Sequence, residues 1–232
     1  VDILTSTDFD FTGQIALCSW LKTVDTTTKA IFSRADTSHI ANAIPKLLFF
    51  GINNGKAYFY RRTNNGSNDP NPSLTSDTSI NNNYWNHICF SINSTEASIY
   101  INGKHDVSGT VTSSNITFTN NSEQIGRFWN GSFSWNGYIK GHLDEVKIYP
   151  FALSEEQVEL EYNQGQAVVM GSTSTGVGGT APSSSASAEY CVPGDTSLCA
   201  PPVGEWKFEA IGGTAVFDTS GNNNTGTMMN GP

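Results

Sequence analysis

GYIKGHLDEVKIYPFALSEEQVELEYN, residues 137–163, is the stretch of sequence that decides the fold. Its first half has the composition of a β-strand, but its apolar residues change parity part-way along: Ile139 and Leu143, then Val146 and Ile148. Side chains alternate between the two faces of a regular strand, so these four residues cannot all reach one core. A β-bulge near Asp144 or Glu145 would bring both pairs to the same side. The stretch therefore predicts a bulged strand.

The second half of the same stretch predicts one short helix. Ser154, followed three residues later by Gln157, forms a capping box. Val158 and Tyr162 share one helical face, and Gly165 suits the C-terminal end. The helix is thus expected directly after the bulged strand.

Upstream of this stretch, residues 1–150 alternate apolar and polar side chains, with turn signals about every ten residues. This pattern is typical of an antiparallel sandwich. Asn and Gly tolerate positive φ, so two tight hairpins are expected at Asn-Gly pairs. The pairs are Asn54-Gly55 and Asn102-Gly103. The polar segment 62–82 is predicted to be a surface loop.

The acidic composition of the chain disfavours binding to polyanionic partners. The chain has 232 residues, with 12 basic and 21 acidic side chains and a net charge of −9. Nucleic acid and anionic membranes would repel this surface, and polyanionic glycans such as heparin are disfavoured for the same reason. Charged residues make up only 14%, while Asn, Ser, Thr and Gly are abundant, which is typical of extracellular β proteins. No apolar run approaches the ~20 residues of a membrane span, so membrane insertion is not expected.

Four cysteines are present: Cys18, Cys89, Cys191 and Cys199. Cys191 and Cys199 bracket CVPGDTSLC, a loop that a disulfide could close. Cys18 and Cys89 each lie within an apolar strand. None of the spacings is typical of a zinc site. Two disulfides in an oxidising compartment are predicted; the alternative is buried free thiols at the strand pair.

The order of the segments is unusual. Residues 1–165, here called the body, begin without the first strands of a sandwich. Residues 166–203 form a Gly/Ser/Thr/Pro-rich linker that contains the small cysteine loop. Residues 204–232, here called the tail, open with a strand and continue into a Gly/Asn-rich loop. Body and tail are complementary halves, so we predict that the tail completes an adjacent domain, in a neighbouring copy or in the next repeat of a tandem chain.

Several stretches resemble the laminin-G-like domain of the concanavalin A-like lectin/glucanase superfamily. They are DFDFTGQIALCSWLK, WNHICFSI, IYINGK, EQIGRF and the stretch 137–163, and together they span most of residues 8–163. The tail resembles the amino-terminal strand and loop of the same family, so it is similar to the start of a second such domain. The resemblance implies an all-β jelly-roll sandwich of two antiparallel sheets with one short C-terminal helix.

The loop DTSGNNNTG, residues 218–226, offers oxygen ligands of the kind that Ca²⁺ prefers. These are the Asp218 carboxylate and the amide oxygens of Asn222 and Asn224. The resemblance adds Asp144 from the bulged strand as a fourth ligand. The alternative is that these residues serve turn geometry alone.

Aromatic residues supply a second candidate site, for carbohydrate. Trp129, Phe133 and Trp135 lie in a Gly/Asn/Ser-rich loop, and Tyr60 with Arg61 forms a second group on a strand. Exposed aromatic rings stack on sugar faces and also anchor protein interfaces. The alternative is that the rings only pack on the core or at a sheet edge.

A catalytic role is not indicated. The glucanases of the resembled superfamily use a Glu-x-Asp alternation, which does not occur in this sequence. Asp144 and Glu145 are adjacent, so a regular strand would point them to opposite faces.

The sequence predicts a non-enzymatic extracellular or cell-surface module, structural or adhesive. Copies or tandem repeats would join end to end into a fibre or stalk, each tail completing the next body by strand addition. The alternative is a lectin-like, carbohydrate-binding module that uses the loop aromatics and calcium. Its partners would be cell-surface glycans.

Overall fold

The computed structural model describes residues 1–3, 7–9, 11, 13–36, 47–62, 70–111, 121–129, 135–163, 202–209 and 213–229. These residues form two antiparallel β-sheets packed face to face, and they include one α-helix. The all-β sandwich with one short helix that the sequence predicts is confirmed.

The eight-stranded sheet contains, in spatial order, β15 (Ala215–Val216), β16 (Gly226–Thr227), β1 (Asp2–Ile3), β10 (Asn121–Ile125), β3 (Lys29–Asp36), β4 (Leu47–Asn53), β5 (Lys56–Arg62) and β6 (Pro70–Ser79). The six-stranded sheet contains β14 (Gly204–Trp206), β13 (Gly141–Tyr149), β2 (Ile15–Thr23), β7 (Trp85–Ile92), β8 (Glu96–Ile101) and β9 (Lys104–Thr110). A two-stranded ribbon is formed by β11 (Phe128–Trp129) and β12 (Trp135–Asn136). The helix α1 spans Glu155–Tyr162, and a short 3-10 turn spans Thr7–Phe9. In the part of the chain that is described, no helix has the length and apolar character needed to cross a membrane.

The main core lies between the two sheets. Phe59 of β5 and Phe90 of β7 stack across it, with ring centroids 3.3 Å apart. Trp206 of β14 is fully buried in the same core and stacks on Phe9 at 6.4 Å. The tail therefore contributes one of the largest side chains of the core.

A second apolar layer covers the outer face of the six-stranded sheet. Cys18 of β2 and Cys89 of β7 are cross-strand partners and form a disulfide there. Tyr149 and Val158 pack with them, so α1 closes this layer. The disulfide confirms that these two cysteines are bonded, and the alternative of buried free thiols does not hold.

The two local signals of the stretch 137–163 are confirmed. The pairing of β13 with β2 shifts register between Asp144 and Lys147, and Glu145 at this bulge has φ of +47°. The helix α1 begins after the N-cap Ser154, whose hydroxyl accepts a hydrogen bond from Gln157 N while the Gln157 side chain accepts one from Ser154 N. Both Asn-Gly hairpins are also present, with positive φ at each of the four residues.

The surface loop predicted over 62–82 is wrong for part of its length. Pro70–Ser79 is β6, the edge strand of the eight-stranded sheet, and it pairs with β5. Leu74 and Ser76 are buried on its inner side, and exposed polar residues alternate with them. Because an edge strand needs few apolar residues, its sequence is as polar as that of a loop.

The tail adds strands to both sheets of its own chain. β14 pairs with β13, where Glu205 lies opposite Lys147. β16 pairs with β1, where Thr227 lies opposite Asp2. The structure therefore places the tail on the body of the same chain, at the edge where the sequence indicates missing first strands. Most of the predicted linker, with Cys191 and Cys199, lies outside the described residues.

Candidate functional site

The candidate site lies on the outer face of the eight-stranded sheet. Along β5, Ala57 and Phe59 point into the core, so the alternate residues Tyr58, Tyr60 and Arg62 point outward. These outward residues are only partly buried. The sheet thus presents two tyrosines and an arginine on one face.

Arg61, which the sequence groups with Tyr60, lies on the opposite face of β5. Its side chain is only 4% exposed, and burial lowers its pKa to about 10. The arginine beside Tyr60 is Arg62. Its Nε and Nη2 atoms donate to the Tyr60 hydroxyl at 3.1 and 2.8 Å, and its guanidinium carbon lies 5.3 Å from the ring centroid. The arginine of this group is therefore Arg62 and not Arg61, because residues two apart on a strand, such as Tyr60 and Arg62, share a face.

Four rings follow one another across three strands, and we call them the aromatic row: Phe128, Phe49, Tyr58 and Tyr60. Successive ring centroids are 5.2, 5.8 and 6.2 Å apart. Phe49 is buried beneath Phe128, whereas the two tyrosines are partly exposed. The hydroxyl of Ser73 on β6 donates to the Tyr58 hydroxyl at 3.2 Å. The row is an apolar strip bordered by hydroxyl groups and a guanidinium.

The ribbon of β11 and β12 flanks one end of the aromatic row. Trp129 and Trp135 are directly opposite each other in its register, so the two positions share one face of the ribbon. Phe133 lies outside the described residues. A Cβ atom on Gly137, just after β12, would overlap the Phe128 ring, so this glycine lets the ring lie close to the backbone.

Two members of the aromatic row, Phe49 and Phe128, were not identified by sequence reasoning. Phe49 lies in the run LLFFG, where neighbouring phenylalanines point to opposite faces of the strand. Its cross-strand partner is Tyr60. The register of the hairpin at Asn54-Gly55 is the signal that could have identified Phe49.

The predicted calcium loop is closed by its own hydrogen bonds. Asp218 Oδ1 accepts from Glu205 N and Ser220 N at 3.0 and 2.9 Å, and Oδ2 accepts from Asn224 N at 2.8 Å. Asn222 Nδ2 and Asn224 Nδ2 both donate to the Val203 carbonyl, at 3.1 and 2.9 Å. Both carboxylate oxygens therefore already serve backbone N–H groups.

Asp144 is engaged elsewhere. Its Oδ1 atom accepts from Glu145 N at 2.9 Å, and none of its described hydrogen bonds leads to the calcium loop. Burial raises the pKa of this carboxyl, and the charge of Glu209 adds to the shift. This arrangement does not fit a calcium site formed by Asp144 with the loop 218–226, and calcium binding stays a prediction.

Glu145 belongs to a cluster of charges around Lys147. Lys147 Nζ lies 2.9 Å from Glu161 of α1, 3.6 Å from Glu205 of β14 and 3.7 Å from Glu145. Burial lowers the pKa of Lys147, but these carboxylates outweigh it and raise the pKa above its ordinary value. The cluster ties the helix and the tail to β13.

A laminin-G-type family model, described as the concanavalin A-like lectin/glucanases superfamily, matches residues 2–159. The chain belongs to the concanavalin A-like lectin/glucanase superfamily. A search of curated proteins found no match to the sequence.

Among solved structures, a putative carbohydrate binding protein from Bacteroides ovatus is similar to 97% of this concanavalin A-like chain and to 56% of its own, with 13% identity and a TM-score of 0.58. Domain 4 of AbnA, a GH43 extracellular arabinanase from Geobacillus stearothermophilus solved with arabinotriose, is 24% identical over 66% of this chain and 68% of its own, with a TM-score of 0.48. Mouse laminin α1 domains LG4-5 are 10% identical over 67% of this chain and 40% of their own, also with a TM-score of 0.48. The chain spans about half the length of the Bacteroides and mouse proteins.

Proposed function

We propose that this concanavalin A-like chain is a non-catalytic carbohydrate-binding module whose site is the aromatic row with Arg62. The observation that carries the proposal is the succession of rings at 5.2, 5.8 and 6.2 Å, which ends at a partly exposed tyrosine beside a guanidinium. Such a strip offers apolar faces to sugar rings, while its tyrosine hydroxyls and Arg62 offer hydrogen bonds to sugar hydroxyls.

The charge of the molecule supports a neutral ligand. The net charge of −9 repels polyanions at long range, whereas an uncharged glycan is not affected by it. Tyrosine is also well suited to this role, because its ring has an apolar body and a polar tip.

A glycan array with alanine variants tests this proposal. Tyr58→Ala and Tyr60→Ala should each reduce binding by about tenfold or more, since each removes a ring face and a hydroxyl. Tyr84→Ala is the matched control, because Tyr84 is 75% exposed and precedes β7 on the other sheet. Unchanged binding in the Tyr58→Ala, Tyr60→Ala double variant would rule the site out. Absence of hits across a broad array of neutral glycans would rule out the function.

We place the module outside the cell or at its surface. The Cys18–Cys89 disulfide is of the kind that persists in oxidising compartments. Low charge content and an abundance of Asn, Ser, Thr and Gly agree with this location.

A second candidate function, assembly by exchange of tails between copies, has one observation in its favour. The tail contributes the buried Trp206 to the core and strands to both sheets. Its covalent connection to the body is the segment 164–203. A long connection allows the same contacts to form in a neighbouring copy, as in domain swapping. Light scattering after refolding at high concentration tests this: dimers or longer assemblies are expected from exchange, and a monomer at every concentration would contradict it.

A further inference from the structure

The Cys18–Cys89 disulfide lies next to a buried imidazole on the outer face of the six-stranded sheet. His87 precedes Cys89 by two residues on β7, so the two side chains share that face. His87 Nε2 lies 3.8 Å from Cys89 Sγ, and the ligand atoms of all three residues lie within 4.8 Å of one another. This face is the opposite surface of the sandwich from the aromatic row.

Hydrogen bonding accounts for only one nitrogen of the imidazole: Nε2 faces the sulfur of Cys89, and Nδ1 is the atom without a partner among the described residues. His87 is 2% exposed. Its ring contacts Trp20 and Tyr162 at centroid distances of 5.1 and 5.8 Å. Buried polar groups are almost always satisfied, and an exception calls for an explanation such as a redox role or a bound ion.

We propose that reduction of the disulfide converts Cys18, Cys89 and His87 into a zinc-binding site. In the reduction, a phosphine takes up oxygen from water and becomes a phosphine oxide, while its two electrons and two protons from water and solvent convert the disulfide into two thiols. Zn²⁺ then displaces the two thiol protons and is bound by two thiolates and one imidazole nitrogen.

The donor set fits zinc in identity and charge, and breaking the Cys18–Cys89 bond would leave the two sulfur atoms free to move apart to the separation of zinc ligands. Two cysteines and one histidine are a known set of zinc ligands, with water in the fourth tetrahedral position. Zinc–ligand bonds of about 2.0–2.3 Å place tetrahedral ligand atoms roughly 3.5 Å apart, close to the 3.8 Å between Cys89 Sγ and His87 Nε2. Two thiolates balance the two charges of Zn²⁺, so the buried site is neutral, which limits its desolvation cost.

The zinc ion would take the place of the disulfide as the link between β2 and β7. The three ligands come from two adjacent strands, at positions 18, 87 and 89. This spacing does not match the sequence patterns of zinc sites. Folding of the sheet alone brings them together. The sandwich would then keep a cross-link in both oxidising and reducing surroundings.

Metal binding by the reduced, folded chain tests the proposal. The background should carry Cys191→Ser and Cys199→Ser, which removes the other two thiols. After treatment with a phosphine reductant, Co²⁺ should give the thiolate-to-cobalt charge-transfer absorption of a tetrahedral site at one ion per chain, and Zn²⁺ should displace it. His87→Gln should weaken Zn²⁺ binding by at least about tenfold, a loss seen even for residues that only support a ligand.

Two controls keep the test decisive. The oxidised chain and the Cys18→Ser, Cys89→Ser variant should both give no charge-transfer band. Zn²⁺ affinity in the reduced chain that matches either control, or that is unchanged in His87→Gln, would overturn the proposal. If reduction unfolds the chain, Zn²⁺ should refold it, because metal binding is coupled to folding, and circular dichroism that shows no refolding would also overturn it.

Discussion

At the scale of single residues, Trp206 links the tail to the body. Its indole is fully buried between the sheets, stacks on Phe9, and donates its Nε1–H to the Asn224 carbonyl at 3.0 Å. This one side chain of the tail thus fills the core while its own buried N–H group is hydrogen-bonded. Its loss leaves a cavity that the two sheets cannot easily close.

Trp206→Ala is therefore expected to lower the free energy of unfolding by about 3–5 kcal/mol. Phe217→Ala is the control in the same segment, since Phe217 is 64% exposed and its loss should change stability by less than about 0.5 kcal/mol. Chemical denaturation of both variants measures the difference. Equal, small effects would show that the tail does not contribute to the core in solution.

His87 makes stability depend on pH. Burial lowers its pKa from 6.5 to about 3, and the charge of Lys147 on β13 adds to the shift. Below pH 6.5 the unfolded chain binds a proton that the folded chain does not, so stability falls as the pH decreases from 6.5 towards 3 and is retained above 6.5. The groups packed on His87 are the disulfide, Trp20 of β2 and Tyr162 of α1.

Unfolding free energy should thus decrease by up to about 1.4 kcal/mol per pH unit from this residue within that window. His87→Gln should flatten this part of the profile, whatever its effect on stability at pH 7. The check is denaturant unfolding from pH 7 to pH 4 for both chains. Parallel profiles would contradict a neutral His87 in the folded protein.

At the scale of elements, the alternation of β5 defines the candidate site. The strand was identifiable from its sequence, and so was the hairpin at Asn54-Gly55. Which arginine faces outward was not, because KAYFYRR places aromatic residues on both faces and only burial distinguishes them. For the same reason β6 was missed: its pairing with β5, and not its composition, makes it a strand. The bulge at Glu145 and the capped helix α1 were predictable, since each has a local signature.

The position of Phe128 in the aromatic row depends on Gly137. Both Gly137 and Gly126 have positive φ, +62° and +82°, but an added Cβ atom meets the Phe128 ring only at Gly137. Each alanine variant should lose about 1–2 kcal/mol of stability from the left-handed backbone. Gly137→Ala should in addition weaken glycan binding several-fold, because Phe128 must move, while Gly126→Ala should bind as the parent does. Calorimetry and a binding titration on both variants separate the two effects.

The loop 218–226 gives a test of calcium at the same scale. If the three backbone hydrogen bonds to the Asp218 carboxylate hold this loop without a metal, a chelator should leave the melting temperature unchanged. Asp218→Ala should lower stability by about 2 kcal/mol with or without calcium. A calcium-dependent rise in melting temperature that Asp218→Ala abolishes would support the metal site instead.

At the scale of the whole molecule, the chain order is a permutation of the order implied by the family resemblance. β16 of the tail pairs antiparallel with β1 of the body, with Thr227 opposite Asp2. The two strands have the geometry of a hairpin without a connecting turn. The resemblance predicts that the tail is the front of such a domain, but it does not predict which body the tail completes. That information lies in long-range pairing, which no local pattern contains.

A circular permutant tests this reading. It would run from residue 202 to 229, continue through a short Gly/Asn linker to residue 1, and end at residue 163. Because every described strand pair is kept, we expect a folded monomer within about 1 kcal/mol of the parent, apart from the entropy of the new loop. Trp206→Ala should destabilise parent and permutant equally. An aggregated permutant would argue that the tail and body of one chain do not complete each other.

The pairing of β1 with β16 also sets how the module would respond to tension. A pull on Val1 and Met229 enters two neighbouring antiparallel strands from the same side. Their hydrogen bonds are then loaded one after another, as in opening a zip, and not together as in shear. The tail would peel away at low force, and residues 164–201, which connect it to the body, have a contour length of roughly 130 Å. The disulfide between β2 and β7 would keep these two strands linked. The module would therefore extend at its tail while the centre of the six-stranded sheet stays folded.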